Sequence, residues 1–263
     1  MERLILFLAV SLLFVSNAFA EVKTQELTYK ADDTALKGFL AYDDSIKEKR
    51  PGVIVVHEWW GHNEYARTRA KMLAELGYVA LAVDMYGDGK TADHPDDAKK
   101  FMNEALANGE LFKKKFEAGL ALLNSQPQTD PEKTAAIGYC FGGATVLAMA
   151  RAGVDLDGVV SFHGILATET PAQKGAVKAK VLAFHGADDP FVPKEQADAF
   201  RKEMNNAEVD YTFVVFPGIQ HSFTNPGATE VGKKFELPLV YDKEADESSW
   251  KQTQEFLEKI FSK

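Results

Sequence analysis

Ile137-Gly138-Tyr139-Cys140-Phe141-Gly142-Gly143 decides the reading of this chain. The residues before it, Thr134-Ala135-Ala136-Ile137-Gly138-Tyr139, read as a buried strand. Those from Gly143 to Ala152 are small, apolar and rich in Ala, as in a helix packed on a sheet. Gly-x-Cys-x-Gly between strand and helix is the cysteine form of a nucleophile elbow. A thiol lifted out on a tight strand-to-helix turn needs strained backbone angles. It also needs small neighbours, Gly138 and Gly142, so that strand and helix can approach. The free N–H groups at the helix start then face the sulfur, where they favour a thiolate and an adjacent oxyanion. The competing reading is a buried structural cysteine in a Gly-rich turn.

Working outward, the strands alternate with helices. Glu26 to Tyr29 and Leu36 to Tyr42 are early strands, and Val53-Ile54-Val55-Val56 is the continuous β-branched run of a strand buried on both faces. Tyr65 to Leu76 has a helical apolar stripe closed by Gly77. Tyr78 to Val83, Gly158 to Phe162, Ala179 to Phe184 and Val209 to Phe216 read as further strands. Asp96 to Leu106, Glu110 to Leu123, Lys194 to Met204 and Asp246 to Phe261 read as helices. Pro217 to about Glu244 reads as one long loop. The expectation is an α/β fold, a mainly parallel central sheet flanked by helices on both faces, with the site at the carboxyl ends of the strands. Without repeat or linker, residues 21–263 read as a single domain.

Residues 1–20 read as a secretory signal peptide. A short start with one Arg precedes the apolar run Leu4 to Val15, and Ala18-Phe19-Ala20 supplies a cleavage site. An uncleaved N-terminal anchor is the alternative. Export, into the periplasm of a bacterium, is the expectation. The net charge of −9 argues against nucleic acid and anionic membrane surfaces as partners. A small molecule is the expected partner, with no membrane attachment after cleavage. The single cysteine rules out an internal disulfide, and its place in the elbow suggests a use for it.

A thiol nucleophile needs a base, and the base needs an orienting acceptor. Cys140 is followed by His185-Gly186-Ala187-Asp188-Asp189-Pro190-Phe191-Val192-Pro193, then by Gly218-Ile219-Gln220-His221-Ser222-Phe223. Nucleophile, acid and histidine therefore come in the chain order of an α/β-hydrolase, each after a strand. Taken singly, His221 has the lesser alternative of a turn histidine, which its place after the last strand disfavours, and Asp189 that of a cap before Pro190. Glu58 after the first central strand reads alternatively as an ion-pair partner of Arg67 or Arg69. Trp59 and Trp60 read either as core or as pocket wall. His57-Glu58 with His62 does not make a zinc-protease helix, because position 61 is Gly and the stretch follows a strand. No metal and no cofactor is expected.

Over nearly all of residues 21–263 the chain resembles the dienelactone hydrolase family of α/β-hydrolases. The resemblance is carried by Glu58 with Gly61 and Asn63, by Gly138-Tyr139-Cys140-Phe141-Gly142-Gly143, by Asp189 in Asp-Pro-Phe-Val-Pro, and by His221-Ser222-Phe223. It implies an ester or lactone hydrolase of carboxymethylenebutenolidase type. Cys140 would be the nucleophile, His221 its base and Asp189 the orienter, with Asp188 the weaker candidate. Glu58 would be the extra carboxylate that contacts the resting thiol. The backbone N–H groups of Phe141 and Trp59 would form the oxyanion hole. Trp60, Tyr86, His163 and Phe223 are expected in the substrate pocket, with Phe162 among the nearby aromatics. The two arginines with which family members hold dienelactone are replaced here by Asp88 and Asn225, neither of which makes bidentate contacts to a carboxylate. The implied substrate is a neutral, apolar or aromatic ester or lactone. A non-catalytic ligand- or partner-binding member of the fold is the rival. Redox sensing at Cys140 is a weaker third reading, for want of a resolving cysteine.

Overall fold

The computed structural model describes residues 22–262; the segment 1–20 read as a signal peptide lies outside the described residues. Eight strands, β1 (Val22–Ala31), β2 (Thr34–Asp43), β3 (Arg50–Val56), β4 (Val79–Val83), β5 (Thr129–Tyr139), β6 (Gly158–Phe162), β7 (Lys180–Gly186) and β8 (Tyr211–Phe216), form one sheet. Its order is β1-β2-β4-β3-β5-β6-β7-β8. β1 pairs antiparallel with β2, and β2 with β4; every later pairing is parallel.

The apolar runs make sense on this frame. In β3, Ile54 and Val56 enter the core on one face while Val53 and Val55 enter the core on the other. All four are fully buried, each contributing about 1.5–3 kcal/mol of transfer free energy. Helices cover both faces. α3 (Gly109–Asn124), α4 (Phe141–Arg151) and α5 (Lys194–Asn206) pack Phe116, Val146 and Phe200 on one side. α1 (Glu64–Glu75) and α7 (Lys243–Phe261) pack Leu73 and Leu257 on the other. α2 (Pro95–Leu106) lies before α3, and α6 (Ala228–Phe235) between β8 and α7.

α1 shows how local chemistry sets an element's ends. Asn63 caps its start, accepting the Tyr65 N–H at 3.2 Å. Its end is a Schellman turn: Gly77 at φ 89° donates to Ala74 O, and Tyr78 donates to Leu73 O. α6 departs from the long loop read between Pro217 and Glu244. It is eight residues long with no side-chain cap at its start, so it carries little sequence signal. Gly232 allows it to pack: a Cβ there would stand 2.4 Å from Leu239 O.

Candidate active site

Cys140 sits between β5 and α4 at φ 53°, ψ −114°, a strained conformation for any residue with a side chain. Both flanking glycines are forced. A Cβ on Gly138 would lie 2.1 Å from Gly142 O, and one on Gly142 would lie 2.2 Å from Val56 O. The Cys140 N–H donates to Phe162 O at 3.0 Å, which ties the turn to β6. Helical bonding in α4 begins with Ala144 N–H to Cys140 O, so the Phe141 N–H at its first turn has no intrahelical acceptor.

His221 follows β8 and Asp189 follows β7. His221 Nδ1 donates to Asp189 Oδ2 at 2.7 Å, and both side chains are buried. The other Asp189 oxygen accepts the Phe191 N–H at 2.9 Å, which fixes the carboxylate's rotation. Asp188 is exposed beside it. Burial opposes a charge on His221. The Cys140 sulfur and the Asp189 carboxylate overcome this and raise its pKa to about 10. A half-buried thiol thus stands beside a buried imidazole–carboxylate pair, the minimum for a nucleophile with an oriented base.

Glu58 is buried, with Oε2 accepting from Asn225 Nδ2 at 2.6 Å and Oε1 from Ser222 Oγ at 3.3 Å. Among the described residues it has no hydrogen bond to Cys140, so the resting contact with the thiol that the resemblance implied is not the one present. It pairs with neither arginine. Arg67 bonds Glu26, and Arg69 bonds Asp246 and Thr224 O. Burial pushes the Glu58 carboxyl up; the Asn225 bond, the His221 charge and the Ser222 bond pull it back.

Cys140 opens into a cavity of about 180 Å³ walled by Trp59, Met102, Phe141, Ile165, Phe191, His221 and Leu239. A larger cavity of about 590 Å³ lies on the far side of Leu239, over Ser222 and Asn225, with Trp60, Tyr65 and Phe235 in its walls. The four residues expected in the substrate pocket are therefore reassigned. Trp60 lines the second cavity, not the one at the thiol. Tyr86 is buried and braces the loop after β3, donating its hydroxyl to Trp59 O at 2.9 Å. His163 and Phe223 are fully buried beneath the site, and Phe162 stacks on Tyr139 at 4.5 Å in the core. These aromatics follow strands, but they turn down into the sheet, where their area is removed from water. Of the true wall, Phe191 was within reach of sequence reasoning, being two residues past Asp189. Met102, Ile165 and Leu239 carried no local signal. Leu239 arrives through a bridge to His221.

Of the two positions where arginines were missed, Asp88 is exposed in a left-handed turn and Asn225 is committed to Glu58. The histidines beside Glu58 serve the main chain. His57 Nδ1 bonds Glu58 O at 2.5 Å and His62 Nε2 bonds Ala82 O at 3.0 Å.

The model of the dienelactone hydrolase family matches residues 36–261. "Protein usf" of Aquifex pyrophilus is 30% identical over 212 residues, spanning 79% of this chain and 90% of its own length. A solved dienelactone hydrolase-like promiscuous phosphotriesterase from metagenomic libraries is 33% identical with a TM-score of 0.84, covering 91% of this chain and 98% of that one. The dienelactone hydrolase of Anabaena variabilis shares the fold at 18% identity, with a TM-score of 0.60 over 82% of this chain and 97% of that one.

Proposed function

The chain belongs to the dienelactone hydrolase family, and from that premise we propose that it is an ester or lactone hydrolase working through an acyl-thioester on Cys140. The observation that carries the reading is that Cys140 and His221 wall the same cavity while His221 is hydrogen-bonded to Asp189 behind it. In the first half-reaction the sulfur, its proton held on His221, attacks the ester carbonyl carbon and forms a C–S bond. The carbonyl oxygen becomes an oxyanion facing the Phe141 and Trp59 N–H groups. Losing one such donor typically costs about 10²–10³ in rate. Collapse breaks the C–O bond, and His221 gives its proton to the leaving oxygen. In the second half, His221 takes a proton from water, hydroxide adds to the thioester, and collapse returns the carboxylic acid and the thiolate–imidazolium pair. Asp189 keeps the His221 tautomer right in both halves. Glu58 remains on Asn225 and Ser222, where its carboxylate favours the charged imidazole.

The substrate is a neutral ester or lactone with an apolar group. Support comes from the aromatic and aliphatic wall around the thiol, and from the state of Asp88 and Asn225, one exposed and the other bound to Glu58. The polar start, short apolar run and Ala-x-Ala of residues 1–20 support export to a bacterial periplasm. Mass spectrometry of the N-terminus in a periplasmic extract tests this; a chain still starting at Met1 would end the idea. The chemistry is tested by quenched single-turnover cleavage of a neutral aryl ester. A burst with an acyl adduct on Cys140, lost in Cys140→Ala, is expected. Unchanged cleavage by Cys140→Ala would overturn the mechanism.

A further inference from the structure

His163 has no part in the mechanism above, yet both of its ring nitrogens are engaged at the site. It lies one residue past β6, fully buried, with a left-handed backbone at φ 42°, a conformation that a residue with a side chain seldom takes. Its Nδ1 stands 3.1 Å from the Cys140 backbone nitrogen, whose one N–H it shares with Phe162 O at 3.0 Å. That nitrogen carries a hydrogen, so Nδ1 is the acceptor and Nε2 bears the ring's proton. Nε2 then donates to Thr224 Oγ1 at 2.8 Å. Thr224 is three residues past His221. Its hydroxyl oxygen also accepts from Tyr65 Oη at 2.7 Å, and its carbonyl accepts from Arg69 at 2.6 Å. The His163 ring meets the His221 ring in a T-shaped contact, centroids 5.0 Å apart.

The elbow and the histidine loop belong to strands separated by β6 and β7 in the sheet order. The sulfur and the imidazole must nonetheless be held within about 0.5 Å of working geometry. His163 is the side chain that bonds to both pieces. We propose that His163 is a positioning residue, fastening the Cys140 turn to the His221 loop through Thr224 and thereby setting the sulfur-to-imidazole contact. The proposal rests on the thiol-hydrolase reading. Its chemistry requires that His163 hold no charge of its own, since a cation there would oppose the imidazolium of His221. The surroundings meet this. Burial drives its pKa well down, and the charges of His221 and Arg69 add to the effect. The other titratable groups packed around it are Cys140, Tyr139 and, through Thr224, Tyr65. With its Nδ1 lone pair facing the Cys140 N–H, His163 is also unable to act as a rival base.

Three variants separate positioning from mere packing. His163→Phe keeps a buried ring but removes both bonds. His163→Asn tolerates the left-handed backbone and offers an acceptor near the place of Nδ1. Thr224→Val cuts the far bond. Each is assayed for kcat and KM on a neutral aryl ester, with active sites counted by alkylation of Cys140, and for the pH dependence of that alkylation by iodoacetamide. Expected for His163→Phe is a kcat per counted site lower by about 10²-fold, the scale of a 1 Å misplacement, with KM within about twofold. Its alkylation profile should shift, because the raised His221 pKa depends on contact with the sulfur. His163→Asn should recover part of the loss. The double variant with Thr224→Val should be no worse than His163→Phe alone. Unchanged kcat per site and an unchanged profile in both His163 variants would overturn the proposal, as would losses confined to the number of folded sites. The alkylation profile needs no substrate. It therefore tests His163 even if Cys140→Ala were to retain ester cleavage and so defeat the hydrolase reading itself.

Discussion

Replacing Asp189 with Asn should disable the site without loosening substrate binding, and the hydrogen bonds dictate how. Asp189 Oδ1 is committed to the Phe191 N–H at 2.9 Å and Oδ2 to His221 Nδ1 at 2.7 Å. An Asn side chain keeps the first bond only with its oxygen toward Phe191, which turns its NH₂ toward His221. The reverse rotamer sets donor against donor at Phe191. The favoured arrangement forces Nδ1 to accept, moves the ring proton to the nitrogen facing the sulfur, and removes the buried negative charge that stabilises imidazolium. Breaking a buried charge pair costs about 3–5 kcal/mol, or about 10²–10⁴ in rate at about 1.36 kcal/mol per decade. The same change in a Ser-His-Asp protease lowers kcat about 10⁴-fold. A fall in kcat of about 10²–10⁴ is expected in steady-state ester hydrolysis, with KM nearly constant because Asp189 does not line the cavity. In the parent, His221 keeps its proton until about pH 10, so activity should hold from neutral pH up to that limit and then fall. In Asp189→Asn the alkaline limit should move down. A kcat within threefold of the parent, with the alkaline limit unmoved, would refute the assignment of Asp189 as orienter.

Three further outcomes follow from the same geometry. Leu239→Ala removes the side chain shared by the two cavities, so kcat/KM for bulky aryl esters should rise about tenfold relative to acetyl esters; a parallel change for both classes would show that Leu239 is not the partition. Gly142→Ala drives a Cβ to 2.2 Å from Val56 O, so it should yield little folded protein or a displaced elbow with activity down at least about 10²-fold; near-parental activity would contradict the packing. Burial lowers the His57 pKa to about 4 from an ordinary 6.5. The unfolded chain therefore takes up that proton first, and the stability involved is whole above about pH 6.5 and lost as pH falls through 4. The loss is about 3 kcal/mol. Urea unfolding of His57→Gln should show a smaller acid loss by roughly that amount, and equal losses would sink the prediction.

What was legible in the sequence was whatever is encoded over a few neighbouring residues. The β-branched run of β3 announces a strand buried on both faces, and Gly138 and Gly142 announce a turn in which no Cβ fits. Cys140, Asp189 and His221 were readable as a set because each follows a strand, and parallel topology brings those strand ends together. The cavity wall was not legible. Met102, Ile165 and Leu239 come from three separate segments and meet only through the tertiary path. Phe223 and His163 misled because a residue after a strand can turn either into the pocket or under it, and alternation does not say which. The Glu58–Asn225 contact spans 167 positions and replaces the ion pair that local composition suggested.

The lone cysteine has a practical consequence. With one cysteine in all 263 residues, and that thiol in the elbow, a thiol reagent reports on Cys140 alone. A preparation's labelled fraction equals the fraction of molecules whose Cys140 is reduced and reachable. Small apolar and large ionic reagents should label the folded chain unequally, because the chamber of about 180 Å³ is walled by rings and aliphatic carbons. After denaturation the two should agree. The ratio of the two labels thus gauges how much of the chamber survives in any sample, without a substrate.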